Sequence, residues 1–90
     1  MTEQEFENFR NKLVESTTFP SVYMFKFIIK SSNRNIALVE NLFPPEADLH
    51  TKESGSGKYT SITAKLVVMN VDEIMSVYKK ASVIKGIMFL

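Results

Sequence analysis

The sequence predicts an α+β domain in which three amphipathic helices accompany a four-stranded antiparallel sheet. Three observations carry this. Residues 23–30 and 59–69 alternate with a period of two in β-branched, aromatic and polar side chains. Segments opening at Thr2, Ser31 and Asn70 instead repeat apolar residues at intervals of three and four, behind side chains that cap helices. Finally, Ser54-Gly55-Ser56-Gly57-Lys58 joins two strand-like runs by a short glycine-containing connection, the pattern of a hairpin.

The first helix is expected from Thr2 to about Ser16, with Phe6, Phe9 and Leu13 as its stripe and Thr2 and Glu5 in the positions of a capping box. Phe19-Pro20 ends it, because a residue before proline is pushed out of the helical region. The strand that follows sets Tyr23, Phe25, Phe27 and Ile29 against Met24, Lys26, Ile28 and Lys30, and is apolar enough to be central. A second helix of about three turns runs behind Ser31-Ser32-Asn33 with Ile36, Val39, Leu42 and Phe43 inward, until Pro44-Pro45 stops it. Residues 47–53 are more polar and suit an edge strand. The strong strand from Tyr59 comes next, and Asn70 with Glu73 opens a third helix carrying Val71, Ile74, Val77, Tyr78 and Ala81. Residues 84–90 read as a closing apolar strand, with Gly86 as a bulge or a close backbone approach.

In this order the last six elements form a split βαβ pair of the ferredoxin-like kind, strand order 4-1-3-2, with the first and third strands at the centre. The chain divides into an N-terminal helix, residues 1–18, and the plait, residues 19–90. Helices pack on one sheet face. Tyr23, Phe25, Phe27 and Ile29 then join Ile62, Ala64, Leu66 and Val68 beneath them. The other face holds Met24, Lys26, Ile28, Lys30, Tyr59, Ser61, Thr63, Lys65 and Val67, half apolar and rich in lysine. Two covers for it are open. One is the N-terminal helix, since a lone helix of its length is marginal in water unless its stripe is buried; the other is a second protein surface.

Composition narrows the function classes. Ninety residues make one core and leave no volume for a buried catalytic chamber. Eleven Lys and Arg against ten Asp and Glu leave a net charge of +1, too little to draw in nucleic acid or an anionic membrane. There is no cysteine, hence no disulfide framework and no thiolate nucleophile, and the acidic start lacks the apolar stretch of a signal peptide or membrane span. A cytoplasmic location is the expectation.

Phe19-Pro20-Ser21-Val22-Tyr23-Met24-Phe25-Lys26, the run Ser54 to Tyr59 with Ser61 and Thr63 after it, and Ile74 with Tyr78 resemble the YbeD-like family. These are small bacterial proteins of unknown function, and the resemblance spans residues 19–90. The family is similar in fold to ACT-type regulatory domains, which implies a ferredoxin-like plait and no established chemistry. The glycine that ACT-type sites use after their first strand has no counterpart in the turn from Lys30 to Asn35, so no amino-acid site is carried over.

The chemistry-bearing motifs are few. A Walker loop needs four residues between its glycine and Gly-Lys and must open a helix; here Gly55 and Gly57 are two apart and the chain enters a strand. His50 is the single histidine, and Asp48 lies two residues before it on the same strand face. Two ligands do not make a zinc site, and no nucleophile elbow accompanies the histidine, so neither metal, cofactor nor catalytic residue is expected. Ser32, Asn33 and Arg34, within Ser31 to Asn35, form the best small site: hydroxyls, helix-start amides and a guanidinium are an anion cradle, although the same residues are ordinary capping. RNA recognition would need stacking aromatics on the open face, where Tyr59 stands alone.

The expectation is therefore a non-catalytic regulatory or adaptor module. It binds a protein partner, or a second copy as a homodimer, through a surface built on Met24, Lys26, Ile28, Tyr59, Ser61 and Lys65. A small anion or metabolite at Ser31 to Asn35 is the alternative, weak RNA binding ranks third, and no membrane is involved.

Overall fold

The two alternating runs become the paired centre of the sheet. A computed structural model describes residues 1–90 as α1 (Glu3–Ser16), β1 (Ser21–Lys30), α2 (Asn33–Glu40), β2 (Asp48–Glu53), β3 (Tyr59–Val68), α3 (Val71–Ala81) and β4 (Met88–Phe89). The strands form one antiparallel sheet in the order β2-β3-β1-β4, a ferredoxin-like plait with an added N-terminal helix. β1 and β3 pair along their whole length, from Ser21 opposite Val68 to Lys30 opposite Tyr59. β2 joins β3 from Asp48 opposite Lys65 to Glu53 opposite Thr60, closing the hairpin through a turn in which Gly57 takes a positive φ of 73°. That conformation is costly for any residue with a side chain.

The alternation falls in the expected phase. Phe25, Phe27, Ile29, Ile62, Ala64 and Val68 are buried against Val39, Ile74, Val77 and Tyr78 from the helices. Fully burying each large side chain contributes about 1.5–3 kcal/mol relative to leaving it exposed. Two hydroxyl pairs complete this interior: Thr60 shares a 2.7 Å hydrogen bond with Ser31, and the Tyr23 and Tyr78 hydroxyls meet at 3.1 Å. No buried side-chain polar atom lacks a partner.

Each helix begins where its capping residue stands. The Thr2 hydroxyl accepts the Glu5 N–H at 3.1 Å, and the Glu5 carboxylate accepts the Thr2 N–H at 3.0 Å. Those bonds hold the Glu5 carboxyl below its usual pKa. Ser32 accepts the Asn35 N–H at 3.0 Å, and Asn70 accepts the Glu73 N–H at 3.1 Å. Glu73 reaches one residue further than a capping box requires, taking the Met69 N–H at 2.8 Å.

Two expectations are corrected. α2 ends at Glu40, so Leu42 and Phe43 lie in the turns that follow, where Phe43 still buries its ring 6.1 Å from that of Phe27. The closing strand is two residues long, Met88–Phe89, not seven. Successive turns, closed by Ile84 N–H to Ala81 and Ile87 N–H to Ile84, consume the chain after α3, with Gly86 at φ 79°. Ile84 and Ile87, three apart, both pack against the core as turn residues rather than alternating.

Of the two covers left open for the outer sheet face, α1 is not the one used. Its stripe packs beside α3: the Phe9 ring stands edge-on to Tyr78 at 5.0 Å, Leu13 is buried, and Arg10 meets Asp72 at 3.4 Å. The helix therefore widens the helical layer and leaves the opposite sheet face uncovered. The physical reason is desolvation. Burying Phe6 and Phe9 on the open face would strip water from Lys26 and Lys65, whereas the flank of α3 offers Met75 and Tyr78 at no such cost.

The short β4 also leaves part of β1 unpaired. Leu90 N–H donates to the Lys26 carbonyl, so even-numbered residues of β1 direct their backbone groups outward, yet β4 pairs only with Phe27 and Ile28. The Val22 and Met24 amides are expected to exchange hydrogen roughly a hundredfold or more faster than those of Phe25 and Phe27, read by exchange-monitored NMR. Equal protection would show that something else covers this edge.

Candidate functional site

Register places the outward side chains in rows. On the face away from the helices, Val22 lies opposite Val67, Met24 opposite Lys65, Lys26 opposite Thr63, Ile28 opposite Ser61, and Lys30 opposite Tyr59. β2 adds Asp48, His50 and Lys52 beside Lys65, Thr63 and Ser61, and β4 adds Met88 beside Ile28. The structure thus brings together all six predicted interaction residues: Met24, Lys26, Ile28, Tyr59, Ser61 and Lys65. It adds Val22, Val67 and Met88. Those three and Met24 are 46–66 % exposed, an apolar content that a face bathed only in water does not need. Val67 was legible from its parity; Met88 was not, because the β4 register depends on turns with no alternating pattern.

Charge is distributed unevenly. Lys26, Lys30, Lys52 and Lys65 lie on this face with Asp48 as its one carboxylate, although the whole chain carries ten acidic residues and a net charge of only +1. The chain's one Arg–carboxylate ion pair, Arg10 with Asp72, and the contact of His50 with Asp48 include none of these lysines. The Lys58 ammonium lies over the Tyr59 ring, 5.7 Å from its centre. Ser61 donates a long 3.4 Å hydrogen bond to the Lys52 carbonyl.

Ser31 to Asn35 is committed to structure at most of its atoms. The Ser31 hydroxyl is bonded to Thr60 and its N–H to the Lys58 carbonyl; the Ser32 hydroxyl caps Asn35; the Asn35 side chain donates to the Lys30 carbonyl at 3.0 Å. What stays free is the start of α2 at Asn33 and Arg34, whose helical N–H groups have no carbonyl four residues earlier within the helix. Arg34 faces a shallow groove at the end of the sheet, about 860 Å³ in volume, between α2 and the turns leading to β4. Lys30, Tyr59 and Met88 belong to both the groove and the open face, so the two surfaces are continuous.

Asp48 and His50 meet at 3.3 Å on exposed β2. No cluster of three or more His, Asp or Glu side chains forms anywhere in the chain, so the pair stands without the third ligand a zinc site needs. No helix is long and apolar enough to cross a membrane.

Comparison with known proteins fits this picture. Residues 14–90 match the family described as "Protein of unknown function (DUF493)", which takes in the whole plait and the end of α1. A UPF0250 protein of Shewanella halifaxensis is 30% identical over 80 residues, covering 84% of this chain and 91% of the relative. UPF0250 proteins of Shewanella piezotolerans and Shewanella baltica are each 29% identical over the same shares of both chains. No solved structure matches. The family match over residues 14–90 takes in the segment that carries the resemblance to YbeD-like proteins, and the chain belongs to the DUF493 family of bacterial proteins of unknown function.

Proposed function

We propose that this chain is a non-catalytic interaction module, regulatory or adaptor in role, whose open sheet face binds another protein surface. One observation carries the reading: α1 spends its apolar stripe on α3, and the sheet face keeps Val22, Met24, Val67 and Met88 exposed beside four unpaired lysines. Exposed apolar side chains interspersed with unpaired cations suit contact with another protein surface better than contact with water alone. The single imidazole supports a binding role over catalysis, since it lies on an exposed strand and pairs with Asp48 rather than activating a hydroxyl.

The test is a folded variant with a damaged face. Met24→Asp with Val67→Asp places two carboxylates on exposed positions, which should leave stability within about 0.5–1 kcal/mol of wild type. It should lose the proteins that copurify at native expression. Val14→Asp, equally exposed but on α1, should retain them. Identical copurification by both variants would end the proposal.

A further inference from the structure

We infer that the partner of this surface is an acidic protein segment bearing apolar side chains, seated in the groove at the end of the sheet and running onto the open face. The inference rests on the reading of that face as an interface and names the chemistry of what it binds. Its basis is charge complementarity. Among the groove's lining residues the charged ones are Lys30, Arg34 and Lys85, with no carboxylate, and the apolar ones include Leu38, Val83 and Met88. None of the three cations has an ion-pair partner within the chain. From Lys30 the basic and apolar track continues along β1 through Ile28 and Lys26 to Met24, with Lys65 alongside.

This pattern argues against the other occupants. A second copy stacked face to face would bring together two faces that each carry Lys26, Lys30, Lys52 and Lys65, with Asp48 as the only carboxylate on each and His50 already beside it. Like charges brought together at an interface are strongly penalised. A nucleic acid would find cations but no stacking platform, because Tyr59 is half-buried with Lys58 over its ring, and the rest of the track is aliphatic. A segment carrying Glu or Asp between Leu, Ile or Val matches both features. Its carboxylates meet the lysines and its apolar side chains cover Ile28, Met88 and Leu38.

The full chain, isotope-labelled, is titrated with a short peptide of alternating glutamate and leucine, its termini blocked. In parallel arms it meets the same peptide with lysine for glutamate, oligouridylate, and inorganic phosphate. The glutamate peptide should shift the amides of Lys26, Lys30, Arg34, Leu38 and Met88, and the shifts should weaken as salt is raised. Lys30→Glu and Lys85→Glu should each lower its affinity about fivefold, as expected when one exposed pair is replaced by a repulsion. Both positions are on the surface, and Lys30→Gln and Lys85→Gln should give smaller losses in the same order. Equal binding of the lysine peptide would overturn the acidic assignment while leaving the face an interface. Binding of oligouridylate but not the peptide would make the surface a nucleic-acid site. Shifts from phosphate that the peptide does not exceed would make the groove a small-anion site. A dimer formed through this face in sedimentation, or no shift along the track with any probe, would also overturn the inference.

Discussion

Replacing Phe27 with alanine is expected to cost about 3–5 kcal/mol of folding free energy. The ring has no exposed surface and sits at the junction of every layer: its centroid is 6.2 Å from Phe25, 6.1 Å from Phe43, 5.6 Å from Tyr78 and 5.3 Å from Phe89. Its removal costs the transfer free energy of the ring and opens a cavity between β1, α3 and β4, since rigid aromatic neighbours on four sides cannot collapse into it. Small domains hold only about 5–15 kcal/mol in total, so the variant should be largely unfolded at moderately raised temperature. Equilibrium urea unfolding gives the number directly. A loss below about 1 kcal/mol would mean that the aromatic cluster repacks and is not the keystone described above.

Stability should also fall steeply in alkaline solution because of Tyr78. Burial, helped by the hydrogen bond that the Tyr78 hydroxyl shares with Tyr23, pushes the Tyr78 phenol well above its ordinary pKa of 10.0. The sign follows from proton linkage: above about pH 10 the unfolded chain releases this proton while the folded chain keeps it, so the folded state binds more protons. The contribution is fully present below that pH. Above it, stability is lost at up to about 1.4 kcal/mol per pH unit. Tyr78→Phe removes the titrating group. At neutral pH it should cost about 1 kcal/mol for the hydrogen bond with Tyr23, while flattening the alkaline slope. Unfolding free energies of both proteins across pH 9–11 decide the matter, and parallel slopes would rule out Tyr78 as the cause.

The elements that were legible are those whose pattern is local. β1 and β3 announce themselves by the alternation over residues 23–30 and 59–69, and its phase predicted which side chains face the helices. Thr2, Ser32 and Asn70 cap because their short oxygens can reach an amide three residues on, whatever the rest of the chain does. β4 was misread because Ile84, Ile87 and Met88 look like a strand by composition. Their placement follows instead from where α3 ends and how many turns the chain needs to return to the sheet. The same holds for the candidate surface. Met24, Lys26, Ile28, Ser61 and Lys65 were assigned to one face by parity, but the groove that joins Arg34 and Lys85 to them brings together residues from three separate segments.

The sequence by itself determined the order of elements, the sheet's central pair and the division of each strand into a core side and a water side. Periodicity and capping are short-range physics, and a period-two strand carries its own orientation wherever it pairs. Only the tertiary structure decided that the water side stays open. Either face offered α1 a place to bury Phe6, Phe9 and Leu13. The choice of α3 came from a comparison of two burials, one beside Met75 and Tyr78 and one over lysines whose dehydration nothing would offset. That comparison depends on residues more than sixty positions apart, such as Arg10 and Asp72, and it leaves the basic, partly apolar face free for another chain.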